Sequence, residues 1–180
     1  MNKNKGFTMI ELLAAILILS LVSGGLVTGV VMSNKQYKSS IRQSEASELY
    51  NTISSLLTNE LRFTNEIRYK ENSSENEIEA FKSISYQIDE STLCKIYVLY
   101  SNGYVAGVDN YGQIAFGDEE KKNYLLGNAA YTNGLGAKVN ITYDEINRIF
   151  TVKLDIGYKD KSIINQEFNV RALNMGWIWR

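Results

Sequence analysis

Hydrophobic and polar positions fall into three regimes along the chain. Residues 12–34 carry no charge, and residues 5–32 read KGFTMIELLAAILILSLVSGGLVTGVVM. As a helix rising about 1.5 Å per residue, such a run crosses the roughly 30 Å hydrocarbon core of a bilayer. After Met32 the chain turns polar, but apolar residues return with helical spacing: Ile41, Leu49, Ile53, Leu56, Leu57 and Leu61. Lys38, Arg42, Glu45, Glu48 and Glu60 fall largely around that stripe. The two regimes together predict one helix over residues 7–64, apolar all round in its first half and one-faced in its second.

The third regime is alternation. Residues 70–79, KENSSENEIE, are polar and charged and predict a loop. Beyond them Ile84, Tyr86 and Ile88 share one face of SISYQID. KIYVLY is β-branched and aromatic, and Ser101-Asn102-Gly103 ahead of YVAGV predicts a hairpin. Residues 109–136 hold five glycines and predict mostly loop, a variable contact surface of the head. Three strands follow, KVNITY, RIFTVKLDIGY and SIINQEFNVRA, with Phe150, Val152, Leu154 and Ile156 on one face of the middle one. Short links near Asp144–Asn147 and Lys159–Lys161 suit an antiparallel meander. The fold class is therefore α+β: a long N-terminal helix packed under an antiparallel sheet. The expected organisation is a leader (1–6), an apolar half-helix (7–33) and a head (34–180), with its helix at 34–64, its loop at 70–79 and its sheet at 80–180.

Composition narrows the chemistry. The chain has 180 residues, enough for one domain plus an N-terminal element. Its net charge of −1 gives no support for nucleic-acid binding by the whole head. With no His and one Cys, no Ser-His-Asp or Cys-His constellation, no imidazole metal site and no internal disulfide can form. Cys94, in STLCKIYVLY, reads as a small buried core thiol. No catalytic residue, metal site or cofactor is expected, although dispersed carboxylates such as Asp89, Asp109 and Asp155 are present. Residues 109–120, DNYGQIAFGDEE, begin with Asp and end with Glu as a calcium loop would. Tyr111 and Gln113 stand at the third and fifth positions, where such a loop needs oxygen ligands, and the glycine is misplaced.

Two polar features bear on the apolar run. Lys3 and Lys5 precede it, so charge asymmetry puts residues 1–6 in the cytoplasm and the rest of the chain outside. The run is longer than the apolar region of an ordinary cleaved signal peptide, and no small-residue cleavage site follows it. Glu11 stands just inside it, where an ionised carboxylate in a membrane helix costs up to about 3 kcal/mol at depth. A cut after Gly6 would create an amine on Phe7, four residues away, and the amine of one subunit could neutralise Glu11 of its neighbour. Thr8 and Glu11 have the spacing of a reciprocal helix cap.

The basic leader, Gly6, Phe7, Glu11 and the long apolar helix resemble the processing site of type IV prepilins and the related pseudopilins of type II secretion and competence systems. The resemblance implies a membrane aspartyl peptidase that cuts after Gly6 and methylates Phe7. It implies Glu11 as the group that registers subunits, and a pilin fold. Implied partners are other pilin subunits in a helical filament, the prepilin peptidase/methyltransferase, the inner-membrane assembly platform and, before assembly, membrane lipid. The implied location is the cytoplasmic membrane first and a cell-surface filament afterwards. Losing Lys3 and Lys5 with the leader lowers the basic count from 19 to 17 against 20 acidic side chains. The end of the helix and the C-terminal strands are similar to J-type minor pseudopilins and their pilus counterparts. Many major pilins have a proline in the second half of this helix. Here Gly24, Gly25 and Gly29 stand there instead, and they read either as a segment that loosens in the filament or as a close helix–helix contact. At the C-terminus Trp177 and Trp179 share one side of a strand, and with Arg180 they are expected either to cover a core edge or to dock a partner pilin.

Overall fold

A computed structural model describes the chain except residues 1–7, 72–75, 83–92, 100–109, 119, 174–176 and 180; for residues 177–179 it describes the backbone alone. The alternation over Ile84, Tyr86 and Ile88, the hairpin at Ser101–Gly103, and Asp89 and Asp109 lie outside the described residues. The chain divides into two compact units, residues 1–42 and 43–180. One helix, α1 (Met9–Arg62), contributes to both. It begins two residues after, and stops two residues before, the bounds that periodicity predicts. Its stop is local: the Thr64 hydroxyl donates to the Glu60 carbonyl at 3.0 Å and the Thr64 N–H to Leu61 at 3.3 Å.

In the first unit every described residue of 9–40 is exposed, including the aliphatic side chains of 9–32. This stretch is long and apolar enough to cross a membrane. In the second unit the one-faced pattern is realised. Ala46, Leu49, Ile53, Leu57 and Leu61 are buried and join one hydrophobic core with the strands.

The strands form two sheets. The larger orders β1 (Glu66–Tyr69), β2 (Ile78–Phe81), β3 (Cys94–Leu99), β4 (Gln113–Gly117), β5 (Lys122–Tyr124) and β9 (Trp177–Trp179) as β5-β4-β3-β2-β1-β9. The smaller is the expected meander of β6 (Leu135–Asp144), β7 (Ile149–Tyr158) and β8 (Lys161–Arg171). Phe150, Val152, Leu154 and Ile156 are fully buried on its inner face. The edge of β6 is joined to the larger sheet at two points, an exchange of backbone hydrogen bonds between Gly112 and Ala137 (3.0 and 2.7 Å) and a bridge from Glu77 to Thr142.

Three expectations need correction. Residues 109–136 are not mostly loop: they supply β4, β5 and two short 3-10 turns, Asn128–Ala130 and Thr132–Gly134. All five residues of β4 are buried: Ile114 and Phe116 join the hydrophobic core, and the Gln113 amide is bonded to Asn128. A strand buried on both faces has no alternation to read. Gly112, one of the glycines that suggested a loop, instead permits a close approach: a side chain there would collide with the Leu99 carbonyl. The polar stretch 70–79 ends early, since β2 begins at Ile78, and β1 precedes it unannounced because four residues carry too little pattern. Finally, the strands are antiparallel except for one pair. The C-terminal β9 runs parallel to β1, with Glu66 opposite Trp177 and Arg68 opposite Trp179.

Cys94 opens β3 as a buried thiol, as expected, and burial pushes its pKa up.

Candidate functional site

The start of α1 is built from a reciprocal cap. Thr8 precedes the helix and Glu11 is its third residue. The Thr8 backbone N–H donates to Glu11 Oε2 at 2.9 Å, and the Thr8 hydroxyl donates to the same oxygen at 2.8 Å. The Glu11 N–H donates in return to Thr8 Oγ1 at 3.4 Å. This is a capping box, which satisfies backbone donors that the first helical turn leaves open. The cap occupies Oε2 of Glu11. Among the described residues Oε1 accepts no hydrogen bond, so the carboxylate keeps an open face for a cation. Both residues are exposed.

Behind the cap the helix handles its own polarity. Ser20 donates to the Leu17 carbonyl at 2.8 Å, Ser23 to Leu19 at 2.7 Å and Thr28 to Gly24 at 2.6 Å. Hydroxyls that bond back into their own helix need no water, which suits them to an apolar medium. The helix is continuous through Gly24, Gly25 and Gly29, and no atom outside the local helix backbone lies within 4 Å of the place a side chain would occupy on any of them. In the isolated chain Gly25 and Gly29, four residues apart on one helix face, form a bare strip on which another backbone could approach closely.

The remaining sequence candidates separate. Gly6, Phe7 and Arg180 lie outside the described residues. Trp177 and Trp179 are on β9, at an edge of the larger sheet, with their side chains outside the described set. The calcium-like stretch is dispersed into structure: the Gln113 amide donates to Asn128 at 2.7 Å, and Asp118 accepts from the Glu120 N–H at 2.9 Å. Among the described residues no cluster of His, Cys, Asp and Glu could hold a metal. Asp155 is engaged by the Tyr111 hydroxyl (3.0 Å) and the Ser162 hydroxyl (2.7 Å).

The head also has a feature that no motif announces, a groove of about 510 Å³ where β6 passes the larger sheet. Glu77 lies at its wall, accepting from Lys70 at 3.1 Å and from the Asn140 amide at 2.9 Å. Lys138, whose ammonium lies 4.2 Å from the centre of the Tyr111 ring, and Lys153 also line it. Its lining comes from residues far apart in the chain, so only the sheet pairing assembles it.

Residues 1–27 match the family model described as the Prokaryotic N-terminal methylation motif. No curated protein and no solved structure matches the chain. The match covers Gly6, Phe7, the Thr8–Glu11 cap and most of the apolar stretch, and it indicates a structural subunit made as a membrane-anchored precursor. With the long helix and the α+β head behind it, the methylation motif supports membership of this chain in the type IV pilin and pseudopilin family.

Proposed function

We propose that the chain is a minor subunit of a type IV pilus, assembled through its N-terminal helix after the leader is removed. The observation that carries this reading is the methylation motif joined to the Thr8–Glu11 cap. The peptidase cuts between Gly6 and Phe7 and methylates the Phe7 amine. Losing Lys3 and Lys5 frees the helix from the cytoplasmic face, and the assembly platform moves it from lipid into the filament. The exchange is favourable because the helix leaves one apolar medium for another and gains close packing. In the filament the Phe7 amine of one subunit meets the open side of the Glu11 carboxylate of its neighbour, which sets the register and removes an unpaired buried charge. The Gly24–Gly29 segment loosens as the helix packs, and Trp177, Trp179 and Arg180 dock a partner pilin. The head, C-terminal to the membrane segment, lies outside the cell.

Mass spectrometry of the mature N-terminus tests the first step: an N-methylated Phe7 is expected, and any other start overturns the processing scheme. Glu11→Ala should be cut and membrane-bound yet missing from sheared filaments; normal incorporation would remove Glu11 from assembly. The same N-terminal chemistry would serve a pseudopilin of a secretion or DNA-uptake machine, or an adhesive or DNA-binding subunit displayed at the tip. Immunogold labelling of filaments, asking shaft or tip, separates these roles.

A further inference from the structure

Among the described residues, the outer edge of β8 carries unpaired backbone. Ala137 spends both its backbone groups on Gly112, so alternation along β6 turns Val139, Ile141 and Tyr143 away from β7 as well. The register then makes Phe150, Val152, Leu154 and Ile156 the β7 residues bonded to β8, through Val170, Phe168, Gln166 and Ile164. Asn165, Glu167, Asn169 and Arg171 point their N–H and C=O groups outward, and among the described residues nothing pairs with them. Beside Phe168 and Asn169 an open groove of about 380 Å³, walled by Tyr50, Ser54 and Thr58 of α1, leaves this edge accessible.

We propose that β8 is a homotypic docking edge, pairing antiparallel with β8 of a second copy about a dyad at Asn169. Two features select this occupant and register. The extra residue Ile163, at the register shift opposite Ile156 and Gly157, breaks the edge there and limits the regular ladder to residues 164–171. Within that segment a dyad at Glu167 sets two carboxylates face to face, and a dyad at Phe168 pairs no charges. A dyad at Asn169 puts Glu167 opposite Arg171 twice and Phe168 opposite Val170 twice. A self-complementary patch of this kind closes as a two-fold pair, so it does not propagate a filament; it joins heads of two filaments or of two unassembled subunits. The contact uses the head alone and stands apart from the filament role of the N-terminal helix.

The test is disulfide trapping in the full chain in detergent, with Cys94→Ser as background. Asn169→Cys, opposite itself at the dyad, should give a covalent dimer on mild oxidation, and Asn165→Cys, which has no copy of itself opposite, should not. Adding Glu167→Arg to the Asn169→Cys chain should slow trapping about tenfold by turning two charge pairs repulsive. Adding Arg171→Glu as well should restore it. No dimer from Asn169→Cys, equal trapping of the Asn165→Cys and Asn169→Cys chains, or trapping indifferent to Glu167→Arg each overturns the proposal. Glu167 and Arg171 are exposed, so folding is not at stake, and near-ultraviolet circular dichroism checks it.

Discussion

The ring of Tyr111 occupies the space that a side chain on Gly157 would need. The ring is held there from two sides: its hydroxyl donates to Asp155 at 3.0 Å, and Lys138 stands 4.2 Å from its centre. Gly157→Ala must therefore push the ring off the smaller sheet. The expected loss is about 1–3 kcal/mol, the range for overpacking a filled site. Urea unfolding of the full chain in detergent measures it. Tyr111→Ala made in the same chain should remove most of the penalty, and strict additivity of the two changes would show that the ring is not its cause.

Phe116 on β4 meets Phe81 on β2 edge to face, with ring centres 5.2 Å apart and both side chains fully buried. Phe116→Ala is expected to lose about 3–5 kcal/mol. Tyr124→Ala on the neighbouring β5, where the side chain is exposed, should change stability little. Similar effects from the two would return residues 113–124 to the status of a surface loop.

Asp144 ties the turn between β6 and β7. The Asn147 side-chain amide donates to one carboxylate oxygen at 2.7 Å, and the backbone N–H groups of Asn147 (3.1 Å) and Ile146 (2.9 Å) donate to the other. These bonds, the Asn147 amide foremost, hold the Asp144 carboxyl below its usual range. Because the folded value is depressed, the contribution is present above the ordinary aspartate range near 3.9 and is lost as pH falls through the folded value. The amide resonances of Ile146 and Asn147 should titrate with a midpoint below that range, and Asp144→Ala should abolish the step. A midpoint at the ordinary value would mean that the turn does not depend on the ionised group.

Thr8→Val keeps the shape of the side chain and removes the hydroxyl that both accepts from the Glu11 N–H and donates to its carboxylate. The first turn of α1 should weaken by about 1 kcal/mol. Amide exchange in detergent micelles should rise at residues 9–12 and stay unchanged beyond Leu17. Thr8→Ser should behave like the parent chain; if Thr8→Val does too, the hydroxyl is not what caps the helix.

The elements that could be read before folding are those whose signal is local. The apolar stretch, the helical stripe, of which Leu49, Ile53, Leu57 and Leu61 are buried and Ile41 and Leu56 half-buried, and the face of Phe150, Val152, Leu154 and Ile156 each repeat one period along a single element. The Thr8–Glu11 cap was legible for the same reason, since three positions of a helix settle its geometry. What stayed hidden depends on pairing at a distance. QIAFG at residues 113–117 is too short to show a period, is buried throughout, and pairs with strands on both sides. The parallel join of β1 to β9 links residues more than a hundred positions apart. The groove beside β6 and the edge position of β8 exist only once the two sheets have formed. The linear order of apolar and polar side chains determined that this protein has a membrane-length helix with an acid at its head and a meander behind it. Tertiary structure alone decided which strands are central and which lie at an edge. Hydrophobic period acts within one element, whereas backbone hydrogen bonds between strands are satisfied by whichever segment the whole fold brings alongside.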